Sequence, residues 1–206
     1  MDTLHKLTDL FRQFPGIGPR QAKRFVYFLL SKEPEFIDSL ASLSSTLNKE
    51  IVQCKDCFRF FQKWSGGIAI RSLCADPNRV PSELMVVAKD TDLESVEKSG
   101  VYHGHYFVLG GTIPLIPRKI TEKVRLQELT ARVAKETKNG TLKEIILALS
   151  ANPDGEHTSI ELKTLLAPYG VTITALGRGL STGSELEYAD PATLTSAFKN
   201  RSVQNI

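Results

Sequence analysis

Hydrophobic positions along the chain first follow a helical rhythm and then alternate between helical and strand spacing. Leu4, Leu7, Leu10, Phe11 and Phe14 share one face of a predicted helix over residues 1–14. "PGIGP" at 15–19 breaks it with four conformational punctuators. Ala22, Phe25, Val26, Leu29 and Leu30 then recur at i, i+3, i+4, i+7 and i+8, which predicts a second helix with Pro19 in its first turn. Residues 35–51 repeat the pattern with Ile37, Leu40, Ala41, Leu47 and Ile51. A cysteine-bearing stretch and a turn-rich linker, "ADPNRVPSE", follow. Beyond them strands are predicted at 84–88, 106–109, 144–149 and 171–176. Helices are predicted at 92–99, 119–139, 156–167 and 190–199, the last with Asp190 as cap and Pro191 at the first position. The helix at 156–167 presents Ile160, Leu162, Leu165 and Leu166 as its apolar side. Alternating strands and helices predict an α/β part with a mostly parallel sheet covered on both faces, behind a helical N-terminal part.

Composition narrows the class without choosing a function. At 206 residues, 41% hydrophobic and 24% charged, the chain has an ordinary globular balance. Runs such as "LMVVA" and "IILAL" are too short to span a bilayer. The charged, amphipathic N-terminus has no apolar signal core, so a cytoplasmic location is expected, with no membrane partner. The net charge of +3 permits nucleic-acid binding, and the placement of the cations has to decide it.

That placement is uneven. In "FPGIGPRQAKRF", Gly16 and Gly18 flank a tight turn into the second helix, and Arg20, Lys23 and Arg24 fall off that helix's apolar face. Unpaired first-turn amides and the positive end of the helix dipole suit a phosphate oxygen. Cations there gain nothing from the dipole, so an outside anion would account for them. The same residues would also serve as an ordinary solvated turn between two packed helices.

The stretch "CKDCFRFFQKWSGGIAIRSLCADPNR" at 54–79 holds all three cysteines, Cys54, Cys57 and Cys74. A C-x2-C pair suits two ligands of one tetrahedral zinc. An odd number of cysteines argues against a disulfide framework. Phe58, Phe60, Phe61 and Trp64 would pack a small knuckle around a metal, or fill it without one. Two loops follow strands, where sites of α/β folds lie. "SANPDGEHT" at 150–158 carries Asp154 and Glu156, and "GRGLSTGSELEYAD" at 177–190 carries Glu185 and Glu187. Such carboxylates hold Mg²⁺ for phosphoryl transfer or simply cap a helix.

Taken together and in order, these segments resemble RecR, a bacterial recombination-mediator family. "FPGIGPRQAKRFVYFLL" is similar to its helix-hairpin-helix and "CKDC…SLCADPNR" to its zinc-finger segment. "GVYHGHYFVLGGTIPLI" resembles a signature of its Toprim domain, and "GRGLSTGSELEYADPATLTSAF" its C-terminal, Walker-B-like signature. The resemblance implies four regions: helix-hairpin-helix at 1–52, degenerate zinc finger at 53–80, Toprim domain at 81–180 and C-terminal segment at 181–206. It implies a non-enzymatic DNA-binding mediator in recombinational repair, with no catalytic residue, in a bacterial, nucleoid-associated setting. Copies would assemble into a ring, a tetramer or dimer, and act with RecO, and in some pathways RecF, to load RecA on single strands. Arg20, Lys23, Arg24, Gly16 and Gly18 would contact DNA, and Asp154 and Glu156 would contact a partner.

Three departures from the family pattern bear on mechanism. Cys74 fits the fourth zinc ligand, but Arg71 stands where the third belongs, and an arginine has no lone pair to offer. The expectation is a protein without a resident cofactor, its knuckle held by aromatics, with zinc as the candidate ion at the three cysteines. Ala88 and Lys89 replace acidic residues after the two valines of "VVAKDTDL", where Toprim enzymes keep a glutamate. In the acidic loop, Asn152 and Pro153 are shifted relative to the family's N-P-T-x-E-G-E. A Toprim nuclease or primase-like phosphoryl transferase is the competing function, and Ala88 weighs against it because a methyl group neither moves a proton nor binds a metal.

Overall fold

A computed structural model describes residues 2–62, 73–116, 124–183 and 185–202. Trp64 and Arg71, singled out above, lie outside them. The chain forms two compact units, residues 1–52 and 53–206.

The first unit is helical. α1 (Thr3–Phe11) is capped by the Asp2 carboxylate, which accepts from the His5 amide at 2.9 Å. It ends earlier than the predicted 14, because the amides of Gln13 and Phe14 turn back to Leu10 and Phe11. α2 (Pro19–Leu30) buries Ala22 and Val26 completely or nearly so, while Leu30, expected on the same face, is exposed. Phe11 meets Phe14 and Phe25 edge to face, which locks α1 onto the turn and onto α2. α3 (Pro34–Glu50) has no buried residue. Phe36 meets Phe28 of α2 edge to face and Ile37 is half-buried, while Leu40, Leu43 and Leu47 stay exposed.

The second unit is built on a four-stranded, all-parallel sheet in the order β4-β3-β5-β6. A short hairpin precedes it, with β1 (Ile51–Gln53) and β2 (Phe60–Gln62). These strands were too short to show as an alternation. β3 (Val80–Val87) starts inside the expected linker, since Val80 donates to the His103 carbonyl at 2.9 Å. α4 (Asp90–Ser99), β4 (Gly104–Val108), α5 (Leu126–Lys138), β5 (Glu144–Ala148), α6 (Pro153–Leu166), β6 (Thr172–Ala175) and α7 (Pro191–Lys199) complete the alternation.

Two differences from the expected helix bounds have clear causes. α5 begins at Leu126 because Arg125 is clipped to the end of β4. Its amide donates to Leu109 O and its guanidinium to Val108 O, each at 2.9 Å. α6 begins at Pro153, since the Asn152 side chain accepts from the Gly155 amide at 2.8 Å and Pro153 takes the first position. Asp154 and Glu156 therefore stand in the first turn of a helix, not in a loop. α6 buries Gly155, Thr158, Leu162 and Leu166, while Ile160 faces solvent.

Each sheet face has its own core. Leu84, Val86, Phe107, Ile145 and Leu147 pack with Leu129 and Val133 of α5 and Leu162 and Leu166 of α6. Met85, Val87, Tyr106 and Val108 pack on the other face with Leu93 of α4 and Tyr102. The alternation along β3 puts successive residues into opposite cores.

Candidate functional site

Three places carry chemistry. In the helical unit, Gly16 holds a left-handed φ of +76° that a side chain would strain. Gly18 differs. Its φ is −81°, and a Cβ added there would meet nothing within 4 Å, so neither conformation nor packing demands glycine. Gly18 caps α2 without a side-chain acceptor, and the first amide bonded inside the helix is that of Ala22, to Gly18 O. The Arg20 and Gln21 amides thus face outward unpaired by the helix. Arg20, Lys23 and Arg24 are exposed beside them. Arg24 reaches only Gln21 Oε1, at 3.5 Å, and the Lys23 ammonium lies 6.0 Å from the Tyr27 ring. Backbone donors and three cations thus share one open surface, with the donor chemistry that suits a phosphate oxygen.

The second place is the cysteine cluster. The Cys54 amide donates to Arg59 O and the Phe58 amide to Cys54 O, which folds the C-x2-C turn tightly. Phe58 takes a left-handed φ of 61° there. A short 3-10 turn, Leu73–Ala75, brings the third cysteine in, and all three sulfurs lie within 4.8 Å of one another. Cys54 Sγ and Cys74 Sγ are 3.9 Å apart. A tetrahedral zinc with Zn–S bonds of about 2.3 Å holds its sulfurs about 3.8 Å apart, so the triad fits three corners of such a site. A bound zinc would fasten the hairpin to the segment after it. The Cys57 thiol is held down to about 6 by the hydrogen bond from Cys74, against its burial. Cys74, the donor, is pushed up by that bond and by burial.

Of the aromatics expected to fill this knuckle, Phe58 and Phe60 are placed otherwise, and Trp64 lies outside the described residues. Phe58 stacks edge to face on Phe107 of the sheet core, 5.3 Å between centroids, and Phe60 is exposed. The cluster is instead anchored to the edge strand. Val108 donates to Cys57 O at 2.8 Å, and Arg132 of α5 donates to both Asp56 O and Tyr106 O. Arg132 also pairs with Glu136. Arg79, from the "DPNR" stretch, bonds Gly104 O and pairs with Glu97 at 2.6 Å. Apart from the i,i+4 pair of Arg132 with Glu136, the partners of these two arginines lie 18 to 76 positions away, so there is no local sign of them in the sequence.

The third place is the C-terminal edge of the sheet. β3 and β5 are neighbours in register, Val87 opposite Ala148, so the residues after each strand emerge at one edge. Ala88 is buried there, and Lys89 caps α4 with its amide bonded to Asp92. Asp154 Oδ1 accepts from the Leu115 amide at 3.0 Å, and the buried Thr158 hydroxyl accepts from Ile113 at 2.8 Å. Glu156 pairs with Arg178, from the loop after β6. The α7 cap, Asp190, accepts from Thr193 and Ala192 and is held below the usual carboxylate range by those bonds, chiefly the Thr193 contacts. Residues 113–115, α6 and the loop after β6 are thus stitched together by Thr158, Asp154 and the Glu156–Arg178 pair.

Comparison with known proteins accounts for this order of parts. Family models match at residues 4–45 (RecR, helix-hairpin-helix), 82–177 (Toprim domain) and 179–202 (RecR, C-terminal). The chain is 38% identical over 199 residues to the recombination protein RecR of Chloroflexus aurantiacus, covering 95% of this chain and 92% of that one. This chain belongs to the RecR family. The RecR protein of Frankia casuarinae is 36% identical over 197 residues, with 96% and 94% covered. That of Dehalococcoides mccartyi is 33% identical over 198 residues, with 96% and 93% covered. The chain is therefore a member of a DNA-recombination family, with a helix-hairpin-helix, a Toprim-type sheet and a cysteine cluster able to hold a metal. No helix among the described residues is long and apolar enough to cross a membrane.

Proposed function

We propose that this RecR-family chain is a non-catalytic mediator of recombinational repair that grips the DNA backbone through the turn and first turns of α2. The observation that carries this reading is Gly18. The fold has no need of a glycine there, yet its lack of a side chain leaves the α2 amides open beside Arg20, Lys23 and Arg24. Backbone phosphate is the group that such a surface receives without reading sequence.

Gly18→Ser tests this separately from folding. Serine is as good a cap as the chain could have there, so unit 1 should hold its stability or gain roughly a few tenths of a kcal/mol. Its hydroxyl would also occupy the amides, so DNA affinity should fall several-fold by fluorescence anisotropy. Affinity unchanged by a well-folded Gly18→Ser protein would remove the α2 terminus from the interface.

The absence of catalysis is argued from the sheet edge. Ala88 supplies no general acid or base, Arg178 neutralises Glu156, and Asp154 is bonded to the Leu115 amide. Mg²⁺-dependent cleavage or synthesis of DNA that Glu156→Gln abolishes would overturn this in favour of a Toprim enzyme. Glu156 and Asp154 are the partner-contact residues of the proposal, with RecO, and RecF where present, as the partners. RecA filaments should form faster on strands coated with single-stranded DNA-binding protein when this chain and RecO are both added. No acceleration at any ratio would sink the mediator reading.

Assembly into a ring is supported by unpartnered apolar surface. In the helical unit, Phe14, Phe28, Phe36 and Leu40 line an exposed apolar groove of about 630 Å³. In the other unit Leu186, Tyr188 and Phe198 are exposed. Surfaces of this kind cost hydrophobic free energy unless covered. Light scattering should give a mass above that of one chain, and a monomer at every concentration would exclude the ring.

A further inference from the structure

The cysteine cluster has three donors at ligand spacing and borders a polar cleft. Among the described residues, no fourth histidine, cysteine or carboxylate joins the three sulfurs within 4.8 Å. The segment between the cysteines, "KWSGGIAIRS" at 63–72, contains no Cys, His, Asp or Glu at all. Cys54 and Cys57 are buried, but Cys74 is only half-buried and lines a cleft of about 440 Å³ with Lys55, His105, Arg132 and Lys135. Cys74 is thus the sulfur of the three that reaches the cleft among the described residues.

We propose that Cys54, Cys57 and Cys74 bind one zinc ion through three thiolates, and that its fourth position opens on the cleft and exchanges small outside donors. Water fills it at rest. Charge agrees with this. Three thiolates around Zn²⁺ leave one negative charge, where four would leave two. The Arg132 guanidinium, 12% exposed and fixed by Asp56 O and Tyr106 O, lines the same cleft and divides its charge between its ion-pair partner Glu136 and the thiolates. Closed structural sites use four protein ligands, whereas three ligands and an open corner mark sites that take an outside group. His105 is the competing fourth ligand. It lines the same cleft, and its Nδ1 is enclosed without a hydrogen-bond partner among the described residues. It does not join the sulfur cluster, however, so closing the site would require its ring to move towards the sulfurs.

The test uses the full-length chain. Elemental analysis after exchange into zinc-containing buffer and removal of excess metal should give about one zinc per chain. Cobalt replacement should give the visible ligand-field bands of a tetrahedral thiolate site. Added imidazole should shift those bands saturably, in wild type and in His105→Ala alike. Absence of stoichiometric zinc and cobalt binding would overturn the metal site itself. Stoichiometric metal with bands unmoved by imidazole would show a closed site. Bands that change in His105→Ala before any imidazole is added would give the fourth corner to the histidine. The readout is spectroscopic, so it stands apart from the DNA and mediator assays.

Discussion

Replacing Arg20, Lys23 and Arg24 together by alanine should weaken binding to single-stranded DNA on the order of a hundredfold near 0.1 M salt. Each phosphate contact on a single strand contributes about 0.7 to the slope of log affinity against log salt, or about fivefold at that salt concentration. Three such contacts multiply to about a hundredfold, and the slope should flatten by about 2. The loss should be the same for every sequence, because phosphate contacts carry no base information. Stability should hardly change. All three side chains are exposed, and among the described residues their one side-chain hydrogen bond is the 3.5 Å contact from Arg24 to Gln21. Affinity and salt slope measured by anisotropy, with a melting curve as control, separate the outcomes. An unchanged slope would locate the grip elsewhere, and a loss confined to one sequence would mean base readout.

Gly155→Ala should destabilise the Toprim unit by about 3 kcal/mol, although helix propensity alone favours alanine by about 1 kcal/mol. Gly155 sits in the first turn of α6, where a Cβ would stand 2.0 Å from the Ser150 carbonyl oxygen and 3.2 Å from Asn152 Oδ1. The first contact is with backbone, which has no rotamer to escape into, so the turn before α6 must move. The same turn holds the Asn152 cap, and beside it Asp154 and Thr158 hold the loop at Ile113 and Leu115. At about 2–4 °C per kcal/mol for a chain of this size, melting should fall by about 6–12 °C. A melting temperature that rises would mean that propensity prevails and that the close approach of α6 to Ser150 is absent in solution.

Much of the fold was legible because local patterns and global packing agree. The "LMVVA", "YFVL" and "EIILAL" runs became the three strands at the centre and one edge of the sheet, and "VTITAL" the other edge. Asn152-Pro153 and Asp190-Pro191 both start helices, yet only the second is predicted as a start from the sequence, because the segment with Pro153 follows a strand and reads as a loop. Ile160 and Leu30 were assigned to buried faces by periodicity, which cannot tell whether a helix has a neighbour on that side. For the candidate site, the cations of α2 were readable from their offset to the apolar face. The roles of Arg79, Arg132 and Arg178 were not, since an arginine whose acceptor lies far along the chain leaves no local signature.

By itself, the sequence determined which chemistry is available. It placed glycines and cations at one helix start, put Ala88 and Lys89 where the resembled Toprim pattern has acidic residues, and limited the metal-binding thiols to Cys54, Cys57 and Cys74. These are statements of composition and short spacing, carried by covalent neighbours. The tertiary structure decided which of those groups meet. It brought Cys74 across 20 positions to 3.9 Å from Cys54, set Arg178 against Glu156, and spent Asp154 on a backbone amide. It also packed Phe58 edge to face against Phe107 of the sheet core. Each of those outcomes depends on which strand lies beside which, and strand order is settled by burying two faces of one sheet at once, a condition that no local stretch of sequence contains.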